Sequence, residues 1–179
     1  MTRTAPVMPT EAPGNYDTAA LFNATIKALG DWVLGPPVFS GYQASAQSIA
    51  NNLFTPATLD TELIDTDFGH STVTNTSRYT FQVAGLYVAW GMAAFATNAT
   101  GTRASKFITN GTTPIIGSET LYLPATTASP TAPTTAFIQA AVGDYVELNI
   151  FQNSGGALST NSNGTFDWVT NMRLFWISN

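Results

Sequence analysis

Two glycine-led stretches constrain this chain more than any other feature: YTFQVAGLYVAW, from Tyr79 to Trp90, and AVGDYVELNIFQ, from Ala141 to Gln152. Each sets a glycine turn before a strand that is apolar on both faces. Side chains alternate across a strand, so after Gly85 the residues Leu86, Val88, Trp90 and Met92 point one way, while Tyr87, Ala89, Ala93 and Phe95 point mostly the other. The last apolar run repeats the pattern, with Phe166, Trp168, Met172 and Leu174 on one side and Val169, Phe175 and Ile177 on the other. A two-sheet sandwich needs one inner face per strand, so the second face meets either a covering segment such as the N-terminal arm or another subunit. Homo-oligomers close by symmetry, and the simplest solution is a ring whose identical faces converge on an axis. Tyr87, Phe95, Val169, Phe175 and Ile177 are assigned to that interface.

Composition agrees with such a fold. The chain has 179 residues, 44% hydrophobic and 12% aromatic, enough for one domain with a real core and a small extension. Only 9% are charged, so Thr, Asn and Ser must cover the surface, and these suit exposed strands and turns. A net charge of -5 with six basic residues is too poor in cations to neutralise a run of phosphates or to hold an anionic membrane. Nucleic acid is therefore not expected as a partner. Without cysteine there is neither a disulfide framework nor a thiolate metal site. No apolar run approaches the roughly 20 residues of a membrane span, and the start MTRTAPVMPT lacks a hydrophobic signal segment, so no membrane insertion and synthesis in a cytoplasm are expected. The sequons at Asn23, Asn75, Asn98, Asn110 and Asn163 are accordingly read as Asn/Thr-rich turns rather than glycosylation sites.

Residues 1–37 divide from the rest. Met1 to Asn15 is a proline-rich extended arm. Asp17 or Thr18 then caps a helix whose apolar set Phe22, Ile26, Leu29 and Val33 recurs at spacings of four, three and four, before Gly35, Pro36 and Pro37 stop it. At about 25 Å such a helix is near the limit of what persists alone in water, so it needs a surface to lie against. That surface is either its own domain or a short bundle of identical helices, and the a/d-like spacing favours the bundle. Residues 38–179 read as all-β, with runs at Val38–Ser45, Leu53–Ile64, Arg78–Val83, Leu86–Ala96, Ala104–Thr109, Ile115–Leu123, Thr134–Ala140, Tyr145–Gln152 and Phe166–Ile177. Asn110-Gly111 marks a hairpin, and Pro124–Pro133 a long loop barred from a central ladder.

Candidate chemistry is sparse. Asp65 and Asp67 could offer oxygen ligands to calcium, with Gly69 permitting the turn, but no later Glu stands at calcium-loop spacing and an Asx-rich turn explains them as well. His70 could line a three-fold axis as a triplet of imidazoles, against the plainer role of a hydrogen-bonded histidine. No metal or other cofactor is assigned. A Ser-His-Asp arrangement would have to use His70, and no nucleophile elbow accompanies it. Of the carboxylate pairs, Asp144 with Glu147 and Asp60 with Glu62, the first follows a turn glycine and the second shares a solvated strand face, so neither is read as a glycosidase pair. The chain is read as non-enzymatic.

Phe81, Gly85 and Tyr87, then Gly143, Asp144 and Val146, resemble the sheet motifs of the trimeric jelly rolls shared by tumour necrosis factor and the complement globular heads. That resemblance implies a two-sheet jelly-roll sandwich of about ten strands that trimerises on one sheet. The runs AQSIANN from Ala46, DTDFGHS from Asp65 and NATGTRA from Asn98, with the N-terminal helix ending in Gly-Pro-Pro, look similar to small virion proteins of tailed phages, particularly those of actinobacteria. This implies a homotrimeric structural protein at the virion surface, made in the bacterial host cytoplasm. In one version it is a capsid decoration or head-spike protein held to the major capsid protein, or another virion protein, through residues 1–37. In the other it is a minor tail protein or fibre tip whose loops, at Asn98, Arg103, Ser154 and Asn161, touch a host surface glycan.

Overall fold

The computed structural model describes residues 6–7, 14, 16, 18–124, 131–162 and 168–178. Most of the arm, Asp17, Phe166 and parts of the loops after Pro124 and after Ser162 lie outside the described residues. Thr18 caps the helix as expected, its Oγ1 accepting from Leu21 N at 3.1 Å. The helix runs as α1 (Ala19–Phe22), a π turn (Asn23–Lys27) and α2 (Ala28–Leu34). Thirteen strands follow among the described residues: β1 (Val38–Tyr42), β2 (Ser48–Ile49), β3 (Thr55–Pro56), β4 (Thr61–Asp65), β5 (Arg78–Thr80), β6 (Gly85–Ala94), β7 (Arg103–Thr109), β8 (Thr113–Pro114), β9 (Thr120–Tyr122), β10 (Thr131–Ala140), β11 (Tyr145–Gln152), β12 (Leu158–Ser159) and β13 (Asn171–Ser178).

They form an all-β jelly-roll sandwich. One sheet has the order β10-β6-β13-β1-β4; the other has β3-β11-β7-β8, with β5 also on β11 and β9 also on β7. A small pair, β12-β2, stands apart. The two-residue strands β2, β3, β8 and β12 account for the excess over the expected ten or so. The expected strand Leu53–Ile64 is divided between sheets as β3 and β4, because Ala57 and Leu59 turn into the core between them. The expected loop to Pro133 ends earlier, and Pro133 pairs with Met92 on β10, an edge strand where a missing N–H is tolerated. Asn110 and Gly111 both take positive φ, 52° and 71°, in the turn from β7 to β8.

Alternation on β6 sorts the chain into inside and outside. Tyr87, Ala89 and Ala93 are buried, while Leu86, Val88, Trp90 and Met92 are half-buried on the opposite face. Ile138 pairs with Tyr87, and Leu174 with Ala89, so three strands present one inner layer. Phe39, Phe81, Phe107, Leu148 and Ile150 join them in a single core. Gly85 and Gly143 both have positive φ, 140° and 91°, which explains why glycine opens each of the two key stretches.

Candidate functional site

The outward face of the β10-β6-β13-β1-β4 sheet carries a row of apolar side chains. Phe137, Val88, Phe175 and Val38 pair directly in register across four strands, making one apolar row perpendicular to the chains. Phe137 is 69% exposed and Phe175 47%, so the row is open among the described residues. Leu86 and Ile177 extend it on one side, Trp90 and Met92 on the other. Arg173 is the cation on this face, and its guanidinium lies 4.9 Å from the Trp90 ring centroid rather than free in water. An exposed contiguous apolar face of this kind marks an interaction surface.

Of the residues expected at a subunit interface, Phe175 and Ile177 belong to this face. Tyr87 and Phe95 do not. Tyr87 is 1% exposed with its hydroxyl donating to Val83 O at 2.8 Å, and Phe95 is entirely buried, so both belong to the sandwich core. The outward members of β6 are Leu86, Val88, Trp90 and Met92. Val169 is half-buried in the segment leading into β13. Phe137 was not singled out from the sequence, because Ala136, Phe137 and Ile138 are all apolar and only the pairing with Val88 puts Phe137 on this face.

The helix is held by a different stripe from the one that its spacing drew attention to. Trp32 is buried against Val83 and Trp176, its ring centroid 5.2 Å from that of Trp176 at 84°. Leu21, Thr25 and Ala28, at the matching spacing, are half-buried. Phe22, Ile26 and Val33 remain 51%, 54% and 67% exposed, and Leu29 is half-buried. The docking contact and the open apolar stripe thus occupy neighbouring faces of one helix.

The acidic cluster is used locally. Asp65 accepts from Gly69 N at 3.2 Å and His70 N at 2.9 Å, closing the turn, while Asp67 is buried. The His70 side chain is wholly buried, with Nε2 on Thr76 O at 3.0 Å and Nδ1 on Glu62 Oε1 at 2.8 Å. No three metal-ligating side chains converge among the described residues. Asp60 accepts from Ala44 N and Ser45 N at 2.5 and 2.8 Å. Burial pushes its pKa up, but these backbone donors outweigh that and hold it below the usual carboxylate value. At Asp144 the Ala141 N–H and the Asn110 amide hold the carboxyl low. Glu147 accepts from Ser77 Oγ at 2.6 Å and faces Arg78 Nε at 3.9 Å.

Arg103 is not available to a ligand as expected. It is entirely buried, and it donates to the carbonyls of Thr100, Thr102 and Asn98 at 3.0, 3.0 and 2.9 Å, drawing the loop down onto the sandwich. Asn98 Oδ1 caps Thr100 N, Ser154 Oγ donates to Gln152 Oε1, and Asn161 Nδ2 donates to Trp168 O. A separate cleft of about 290 Å³ was not foreseen; it lies where the β4–β5 connection leaves the sheet edge, lined by Phe68, His70, Asn75, Arg78 and Gln82 among others.

No protein-family profile and no curated protein matches the chain. Solved structures do resemble it. The globular domain of zebrafish complement 1qA protein aligns with a TM-score of 0.56 at 18% identity, covering 80% of this chain and 99% of that one. Murine APRIL aligns at 0.57 and 11%, covering 79% and 98%, and the Eiger TNF of S. frugiperda at 0.53 and 11%, covering 80% and 92%. The chain therefore has the jelly-roll fold of the complement-head and tumour-necrosis-factor domains.

Proposed function

We propose that this chain is a non-enzymatic structural module that assembles as a homotrimer through the outward face of its β10-β6-β13-β1-β4 sheet and is displayed on a phage particle as a capsid decoration or head-spike protein. The row Phe137-Val88-Phe175-Val38 carries the proposal, because four neighbouring strands present an apolar surface that is open among the described residues. The resemblance at Gly85 and Gly143 supplies three-fold closure on one sheet. Residues 1–37 are assigned to attachment, with the open stripe Phe22, Ile26 and Val33 meeting the major capsid protein, another virion protein or its own copies. In this reading Asp60, Glu62, Asp144 and Glu147 serve the fold, each bonded within it. Synthesis in the bacterial host cytoplasm and a place on the virion surface follow from the phage resemblance.

Light scattering of the purified chain should give three subunits, and a stable monomer would refute the shared face. Antibody labelling of intact particles should decorate heads; signal confined to tails would move the protein to the second reading, a minor tail protein or fibre tip recognising a host surface glycan. The cleft beside Phe68 favours that second reading.

A further inference from the structure

Phe68 stands out because it combines two unfavourable features. Its φ is 57°, in the left-handed region that bulky residues avoid, and its side chain is 80% exposed. Nothing in the core explains it. Backbone strain of this kind persists only where the surroundings enforce it, and here they do. Asp65 caps Gly69 N and His70 N, Gly69 O accepts from Thr80 N at 2.7 Å, and a Cβ at Gly69 would lie 2.5 Å from the Tyr79 ring. Beneath the loop, His70 is clamped between Glu62 and Thr76. The loop is thus rigid from below and presents an aromatic face above.

Around that face the cleft is polar but almost uncharged. Ser71, Thr74, Asn75, Thr80 and Gln82 supply hydroxyls and amides that can both donate and accept. Arg78 is the permanent charge. Its guanidinium lies 4.2 Å from the Tyr145 ring centroid and 3.9 Å from Glu147, and its buried Nε has no hydrogen-bond partner. A phosphate ligand would need several cations, and Arg78 is already part-neutralised by Glu147. An apolar ligand would leave the amides without partners. A ring with apolar C–H faces and hydroxyls at its edge satisfies both surfaces, and the volume is at the small end of ligand clefts.

We propose that the Phe68–Gln82 cleft binds a neutral saccharide, one sugar ring stacking on Phe68 while its hydroxyls bond Asn75, Arg78 and Gln82. The site rests on the glycan-recognition reading and relocates it from the Asn98, Ser154 and Asn161 loops. The full isotope-labelled chain is titrated with glucose, galactose, mannose, rhamnose and N-acetylglucosamine, and backbone amide shifts are followed. At least one sugar should shift Gly69, Asn75, Arg78 and Gln82 together. Phe68→Ala should weaken that sugar by about tenfold or more, the loss of about 1.4 kcal/mol of stacking. Phe68→Gly should weaken it equally without lowering the melting temperature, since glycine accepts the backbone angle. A sugar that shifts only the Ser154 and Asn161 loops would overturn this site and leave glycan recognition standing, whereas no response to any sugar would overturn both. Loss of stability in Phe68→Gly would make Phe68 a structural residue and overturn the site as well.

Discussion

At Gly85, backbone angle and packing act together. Its φ is 140°, and a Cβ would lie 2.3 Å from Ser178 O and 2.4 Å from Trp176 Nε1. Gly85→Ala should therefore cost about 2–4 kcal/mol in urea unfolding, more than a surface glycine could account for. Asp144 gives a pH effect of definite sign. Its folded pKa is depressed below the ordinary value of about 3.9, so its contribution is present above that value and is lost as pH falls through the lowered one. Asp144→Asn should flatten the acid loss of stability below about pH 4, read as the slope of unfolding free energy against pH. His70 shows how much of a site the sequence hides. Thr76 O only accepts, so Nε2 donates to it, while Nδ1 lies 2.8 Å from Glu62 Oε1. DTDFGHS announces a turn, but not that the imidazole points inward beneath Phe68.

At the scale of elements, the helix divides its labour between two stripes, and each can be tested alone. Trp32→Ala should release the helix from Val83 and Trp176, raising amide exchange across Ala28–Leu34 by about tenfold or more while the strands stay protected. Ile26→Asp should leave that docking intact and instead weaken association or attachment, because Ile26 is 54% exposed in the single chain. Helical periodicity made Phe22, Ile26, Leu29 and Val33 legible, but the spacing of apolar residues does not say which stripe meets the chain's own domain. Strand existence was legible for the long runs, and Tyr145–Gln152 matches β11 at both ends. Short strands were not legible because two-residue pairings such as β12-β2 carry no period to read.

Across the whole molecule, the decisive property is the open row on one sheet. Phe175→Glu should place a charge in its centre, and light scattering should then report folded monomers with unchanged far-UV circular dichroism. A Phe175→Glu chain that stayed trimeric would put the axis on another surface. Phe137 shows why the row was only half visible: it becomes part of the face through pairing with Val88, in a strand distant in sequence.

From sequence alone came the all-β class, the two-sheet sandwich, the glycine positions that open the two key strands, and the existence of a second apolar face. These follow from local rules, namely alternation along a strand and the backbone angles that only glycine accepts easily. Which residues occupy that face was decided by register. Tyr87 and Phe95 turned inward, and Val88 came to sit between Phe137 and Phe175, because inside and outside are settled by what lies across the sheet. The same holds for Arg103, drawn into the fold by three carbonyls, and for Phe68, held outward by a loop whose supports come from β4, β5 and the turn between them.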